Sequence, residues 1–178
     1  LRDLSWAASA RSDEPWVVVH HPERTGTVVL VLDGFTEVGV PPAALDRAAR
    51  VVWAIARHHL ANGDRVGLVA AGPTPRWLPP VAGRRARWLV LDALLLADPS
   101  SGGRRRRPSA ADDEGVPADA VVVGVSALQS DAFVAAVIRH RRQGRPTSVV
   151  GVDLHDLLPP ADDVVERTAR RLWRLEVE

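Results

Sequence analysis

The chain has 178 residues, a formal net charge of +1, and no cysteine, methionine, tyrosine or lysine, so all 23 cationic side chains are arginine. That length suits one domain with a full hydrophobic core, and the near balance of charge leaves no global field to draw nucleic acid or a membrane surface. Thiol nucleophiles, disulfides, cysteine-bound zinc, Schiff-base chemistry and a P-loop lysine are all excluded.

The opening segment mixes polar and apolar residues around Trp6, and Pro15 leads into a predicted strand from Trp16 to His20. The next element is the strongest. Val28 to Leu32 is apolar without alternation and ends in Asp33 and Gly34, which predicts a strand buried on both faces, as in a parallel sheet covered by helices. An acid at the end of such a strand lies at the carboxyl edge, where open α/β folds place their sites. Pro41 and Pro42 start a helix whose inward row is Leu45, Ala48, Ala49, Val52, Trp53, Ala56 and Leu60, with Asn62 and Gly63 as the stop. Arg65 to Ala71 is a second buried strand, and Arg76 to Leu78 a short edge strand between prolines. A helix from about Arg84 to Ala97 follows, with Trp88, Leu91, Leu94 and Leu95 expected inward.

Asp98 to Pro117 has opposed charge blocks among Ser, Gly and Pro and no apolar period, and reads as a long mobile loop. Asp119 to Val125 is a third parallel strand. Ser130 and Asp131 cap a helix carrying Phe133, Val134, Val137 and Ile138, with Arg139, Arg141 and Arg142 in its last turn and Gly144 at its end. Thr147 to Val152 is a fourth strand, Ala161 to Arg170 a helix, and Leu172 to Val177 a final strand. Alternating strands and helices predict one α/β domain: a doubly wound, mostly parallel sheet with helices on both faces, Rossmann-like in plan.

No stretch reaches the roughly 20 apolar residues of a membrane span, and the opening residues do not read as a signal peptide. The chain starts at Leu1; the expectation is a piece of a longer protein whose remaining part holds membrane anchors.

Two stretches together resemble a known family. Arg2, Leu4, Trp6, Ala8, Ala10 and Arg11 follow the R-x-I-x-W-x-A-x-A-R signature of the bacterial domain-of-unknown-function family fifty-eight. His20 to Arg24, the strand to Asp33, Gly63 to Val69, and Leu78-Pro79-Pro80 with Gly83-Arg84-Arg85 match its next landmarks in order. The resemblance implies a von Willebrand factor A-like domain, carried behind membrane helices and associated with MoxR-type AAA+ ATPases in assembly or chaperone systems. It implies no established catalysis.

Such domains hold magnesium on a D-x-S-x-S pattern, completed by a threonine and an aspartate from later loops. Here Asp33 matches the first position, but Phe35 and Glu37 stand at the serines, Ser126 at the later aspartate, and Gly83 at the threonine, with Thr74 the nearest alternative. Mg²⁺ needs hard oxygen ligands in near-octahedral array; phenylalanine offers none, and glutamate sets its carboxylate off the serine's position. The expectation is a degenerate site holding no metal or cofactor.

Other candidates are weaker. Asp33 echoes the nucleophile of a D-x-D-x-[TV] phosphatase loop, but Phe35 replaces the acid–base aspartate. Gly124 to Leu128 follows a strand and precedes a helix as a serine-hydrolase elbow would, with Asp153 and His155 in the right order, yet Leu128 replaces the closing glycine. The adjacent pairs His20-His21 and His58-His59 cannot face one another as metal grips, so all six histidines read as surface or half-buried. Asp153, His155 and Asp156 lack a fourth spaced ligand. Arg104 to Arg107, balanced by Asp112, Asp113 and Glu114, reads as solvated charge without aromatics for base stacking. The tryptophans mostly hold core spacing, Trp6 and Trp16 excepted.

These readings converge on a non-catalytic protein-interaction module using Asp33, Gly34, Phe35, Thr36, Glu37 and Ser126, together with the arginine loop. The expected partner is a protein such as a MoxR-type ATPase, not nucleic acid, and the expected location is cytoplasmic, tethered to the membrane through segments outside this chain. The alternatives are a hydrolase of phosphate or acyl esters through Asp33 or Ser126, and a purely structural scaffold.

Overall fold

Strand β1, Thr27–Asp33, lies at the centre of a five-stranded sheet, and Val28 to Leu32 are each 4% exposed or less. Only a strand hydrogen-bonded on both sides and covered on both faces can bury five consecutive residues, which is why the run has no polar alternation. The computed structural model describes residues 11, 25–34, 43–71, 76–97, 115–154, 156–157, 164 and 168. The expected strands at Trp16 to His20 and Leu172 to Val177 lie outside these residues, as do most of the loop after Ala97 and of the helix from Ala161.

After β1 come helix α1 (Ala43–Ala61), β2 (Arg65–Ala71), β3 (Arg76–Val81), α2 (Ala86–Leu95), β4 (Val121–Ser126), α3 (Asp131–Arg142) and β5 (Thr147–Gly151). The sheet order is β3-β2-β1-β4-β5, parallel except for β3, which pairs antiparallel with β2 at the edge. Pro79 and Pro80 lie within the edge strand β3 between Leu78 and Val81, where the register with β2 shifts, so the irregularity and the edge together spare them the ladder bonds that proline cannot donate. Winding runs from β1 to β2 on one side and through β4 to β5 on the other, so the switch point falls between β1 and β4.

The alternation of the central strands divides the core. Val28, Leu30 and Leu32 face α1 and α2, while Val29 and Val31 face α3. α1 presents Ala44, Ala48, Val52 and Ala56 at four-residue spacing, and three alanines in that row let the helix lie close on the sheet. α3 inserts Phe133, fully buried, against Gly124 of β4, where an added Cβ would stand 2.8 Å from the ring and 3.2 Å from Val137. Its N-terminus is capped as expected, the Phe133 amide donating to the Ser130 hydroxyl at 3.4 Å.

Three expectations need revision. In α2, Trp88 is 68% and Leu95 76% exposed, and the buried row is Ala86, Val90 and Leu94. The leucine-rich sequence permits several frames, and the frame led by the smaller residues brings the helix nearest the sheet. In α3, Val134 and Ile138 lie exposed while Phe133 and Val137 are buried. At the end of the long loop, Val116 is buried and the Arg145 side chain donates to the carbonyls of Val116 and Pro117, so Val116 and Pro117 are tied to the turn after α3. Among the described residues, no helix is long and apolar enough to cross a membrane.

At the amino edge, Asp64 accepts from the Gly26 amide at 2.9 Å and pairs with His59 Nδ1 at 2.7 Å. The hydrogen bond to His59 leads in holding the Asp64 carboxyl below its ordinary 3.8, helped by the Gly26 amide and opposed by desolvation. A depressed carboxyl stabilises the fold above 3.8, and that contribution is lost as pH falls through the lower folded value. Asp64→Asn is therefore expected to lower the melting midpoint at neutral pH and to flatten its acid limb below about pH 4, checked by thermal melts across pH. Gly124→Ala is expected to cost about 1–3 kcal/mol in urea denaturation, because the buried Phe133 ring must move. Part of that cost returns in the Gly124→Ala/Phe133→Leu double variant, and strict additivity of the two substitutions contradicts the clash.

Candidate functional site: the carboxyl edge at the switch point

β1 and β4 end side by side, with Leu32 paired to Val125, so Asp33 and Ser126 are the next residues on adjacent strands. Ser126 is fully buried and Asp33 half-buried. The Ser126 hydroxyl donates to Asp33 Oδ2 at 2.5 Å and accepts from the Leu128 amide at 2.7 Å. Leu128 itself has a left-handed backbone, φ 59°, at a cost of about 1–2 kcal/mol for a residue bearing a Cβ. On the other side of β1, the Gly34 amide donates to the Ala71 carbonyl at 2.5 Å. Beyond β4, the Val152 amide donates to the Ser126 carbonyl at 2.8 Å. Four successive strand ends are thus tied into one edge.

A cation also stands here. Arg47, in the first turns of α1, binds both carboxylate oxygens of Asp156 at 2.6 and 2.7 Å and donates to the Asp153 carbonyl at 2.7 Å. The Asp156 hydrogen bond leads in raising the Arg47 pKa, opposed by desolvation and aided by the charges of Asp156 and Asp153. A bidentate guanidinium–carboxylate pair fixes geometry as well as charge, and it pins the segment after β5 over the start of α1. Sequence reading passed over Arg47. The available signal was an arginine near the N-terminus of a helix, the end that repels cations unless an acid is close.

The structure brings Asp33, Gly34 and Ser126 together, while Phe35, Thr36 and Glu37 lie outside the described residues. Gly83 does not belong to this edge. Val81 pairs with Val66, and Val66 with Val28, so the turn holding Gly83 leaves the sheet about 16 Å from Asp33 at ~3.3 Å per strand residue. Thr74 lies outside the described residues, between Ala71 and Arg76. His155 does too, and Asp156 is engaged by Arg47. Of the remaining histidines, His58 is exposed and bonded to Asn62, His59 is half-buried on Asp64, and His140 is 1% exposed, contrary to the expectation of surface histidines. His140 sits on the face of α3 that also carries Phe133 and Val137, positions the charged residues around it disguised.

Among the described candidate ligands, the Asp33 carboxylate accepts a hydrogen bond from Ser126, and the Ser126 oxygen accepts one from the Leu128 amide. Among the described residues, no three His, Cys, Asp or Glu side chains come together to hold a metal. A nucleophile elbow is also poorly matched, because it presents its hydroxyl to substrate, whereas Ser126 is fully buried. Leu128 does take the left-handed turn for which a glycine seemed necessary, so that objection to the elbow fails and burial replaces it.

With the geometry in place, comparison by family settles kinship. The family model described as "Protein of unknown function DUF58" matches residues 1–160. The chain belongs to this family. Comparison with curated proteins returns no match. The α/β arrangement of this family member is consistent with a von Willebrand factor A-like fold, and β1 with Asp33 holds the central place such a fold gives its first strand.

The Asp33–Ser126 bond makes a specific demand. Ser126→Ala removes a donor from the carboxylate and an acceptor from the Leu128 amide, and is expected to cost about 1–3 kcal/mol. Hydrogen exchange in the same variant should speed up at Leu128 and Val152 and stay unchanged in α1. Exchange that accelerates evenly through the domain contradicts a bond local to the switch point.

Proposed function

We propose that this domain is a non-catalytic protein-interaction module in which the carboxyl edge of the sheet serves as a contact surface without an ion. The observation supporting this is the bond from Ser126 to Asp33, which gives the carboxylate a hydroxyl partner where a metal-dependent site keeps its first acid for a cation. The contact set is Asp33, Gly34, Phe35, Thr36, Glu37 and Ser126. The partner of this reading is a protein, a MoxR-type AAA+ ATPase or a component of envelope assembly, and the location is the cytoplasmic side of a membrane, with the tether in segments outside this chain.

An esterase or phosphatase using Asp33 or Ser126 needs the acid or the hydroxyl to reach substrate, and each is committed to the other.

Calorimetric titration with Mg²⁺ and Mn²⁺ is expected to show no binding in the micromolar range. Micromolar affinity that disappears in Asp33→Ala overturns the ion-free reading. Pull-down with a MoxR-type ATPase from the same genome is expected to weaken when residues 33–39 are replaced by a Gly/Ser loop of equal length. Undiminished capture removes this edge as the contact surface.

A further inference from the structure

The stretch Leu78-Pro79-Pro80…Gly83-Arg84-Arg85 has no part in the carboxyl edge, yet it leads into α2, which exposes Trp88, Leu89 and Leu95 and, at its C-cap, Leu96. α2 buries Ala86, Val90 and Leu94 and turns a second row, Arg84, Arg87, Trp88 and Leu91, toward α1. With Trp53 and Leu60 of α1 and Gly83, these residues line a half-open cleft of about 670 Å³ between the two helices. Leu95, 76% exposed, continues the row one turn on. Arg57, exposed, falls between Trp53 and Leu60 on α1. The cleft sits toward the amino edge, because β3 runs back along β2 before α2 begins.

Its charge is one-sided. Among the described residues, Arg84 and Arg87 line the cleft and no acid does; Asp92, the only acid of α2, is not among the residues that line it. None of Arg84, Arg85 and Arg87 forms an ion pair among the described residues, although ion pairs hold Arg47 and His59 elsewhere. These three arginines crowd the end of α2 whose dipole is positive, in a first turn with no acid and at an N-cap with no side-chain bond. Both effects raise the free energy of the domain by itself. Negative charge laid beside them relieves both. Tryptophan walls and a leucine floor demand apolar surface from the same partner, and a concave groove between antiparallel helices suits a helix lying in it better than a flat bilayer.

We infer that the α1–α2 cleft, walled by Trp53 and Trp88 and rimmed by Arg84 and Arg87, is a docking groove for an acidic amphipathic helix of a partner protein. It is a second surface, at the end of the domain opposite Asp33 and Ser126, and does not depend on the reading of the carboxyl edge.

The test uses the whole 178-residue chain and a fluorescein-labelled peptide of about 16 residues, with leucines at i, i+3, i+4, i+7 and glutamates on both flanks. Anisotropy is expected to report saturable binding that weakens with salt and falls by about tenfold or more in Arg84→Glu/Arg87→Glu. A lysine-flanked peptide of the same leucine spacing should bind the doubly reversed variant better than it binds the parent. Trp88→Ser, at an exposed position, should abolish binding with no loss of melting midpoint. Equal binding of both peptides to the parent overturns the inference. So does Arg84- and Arg87-dependent binding to phosphatidylglycerol vesicles without peptide binding, which would make the surface a lipid contact. Sedimentation showing a dimer that Trp88→Ser dissolves overturns it in favour of a second copy of the chain. Replacement of residues 33–39 should leave peptide binding unchanged, which keeps this result separate from that of the carboxyl edge.

Discussion

One buried hydroxyl joins the two halves of this domain where they part. A doubly wound sheet leaves a crevice at its switch point, and related architectures fill that crevice with a ligand. Here the Ser126 side chain spans it, giving its proton to Asp33 and receiving the amide of a left-handed Leu128. The half-buried carboxylate at the end of the central strand thereby has a hydrogen-bond donor from within the chain.

The two ends of the sheet differ in character. The carboxyl end is knitted by short bonds among β2, β1, β4 and the segment after β5, with Arg47 fastening that segment to α1. At the amino end, Asp64 ties α1 to the start of β1 through His59 and Gly26, but beside this tie the helices diverge around tryptophans and arginines without acids. A domain with one self-satisfied end and one unsatisfied end has a natural polarity for assembly.

Much of the fold was legible because β1 and most of β2 and β4 are buried, and burial on both faces leaves a signature that needs no partner to interpret: runs of valine, leucine, alanine and glycine without polar alternation. The cap at Ser130 and the stop after α1 were equally plain, being local. What sequence could not fix was frame and depth. In α2, Trp88 and Leu95 read as core because they are large, yet the sheet face went to Ala86 and Val90, two positions either side of Trp88, together with Leu94. The candidate site was half legible. Asp33 and Ser126 could be placed at neighbouring strand ends, but their mutual bond, the clasp from Arg47 and the distance of Gly83 are facts of register and rotamer, and one sequence contains neither.

The two prolines of β3 have a consequence for how this domain behaves in company. Among the described strands β3 is one edge of the sheet, and its run of donors is interrupted where Pro79 and Pro80 carry no amide hydrogen. That interruption disfavours fibril-like stacking on this flank. Recruitment on that side has to go through side chains, which read identity, and not through the backbone, which any extended peptide could match.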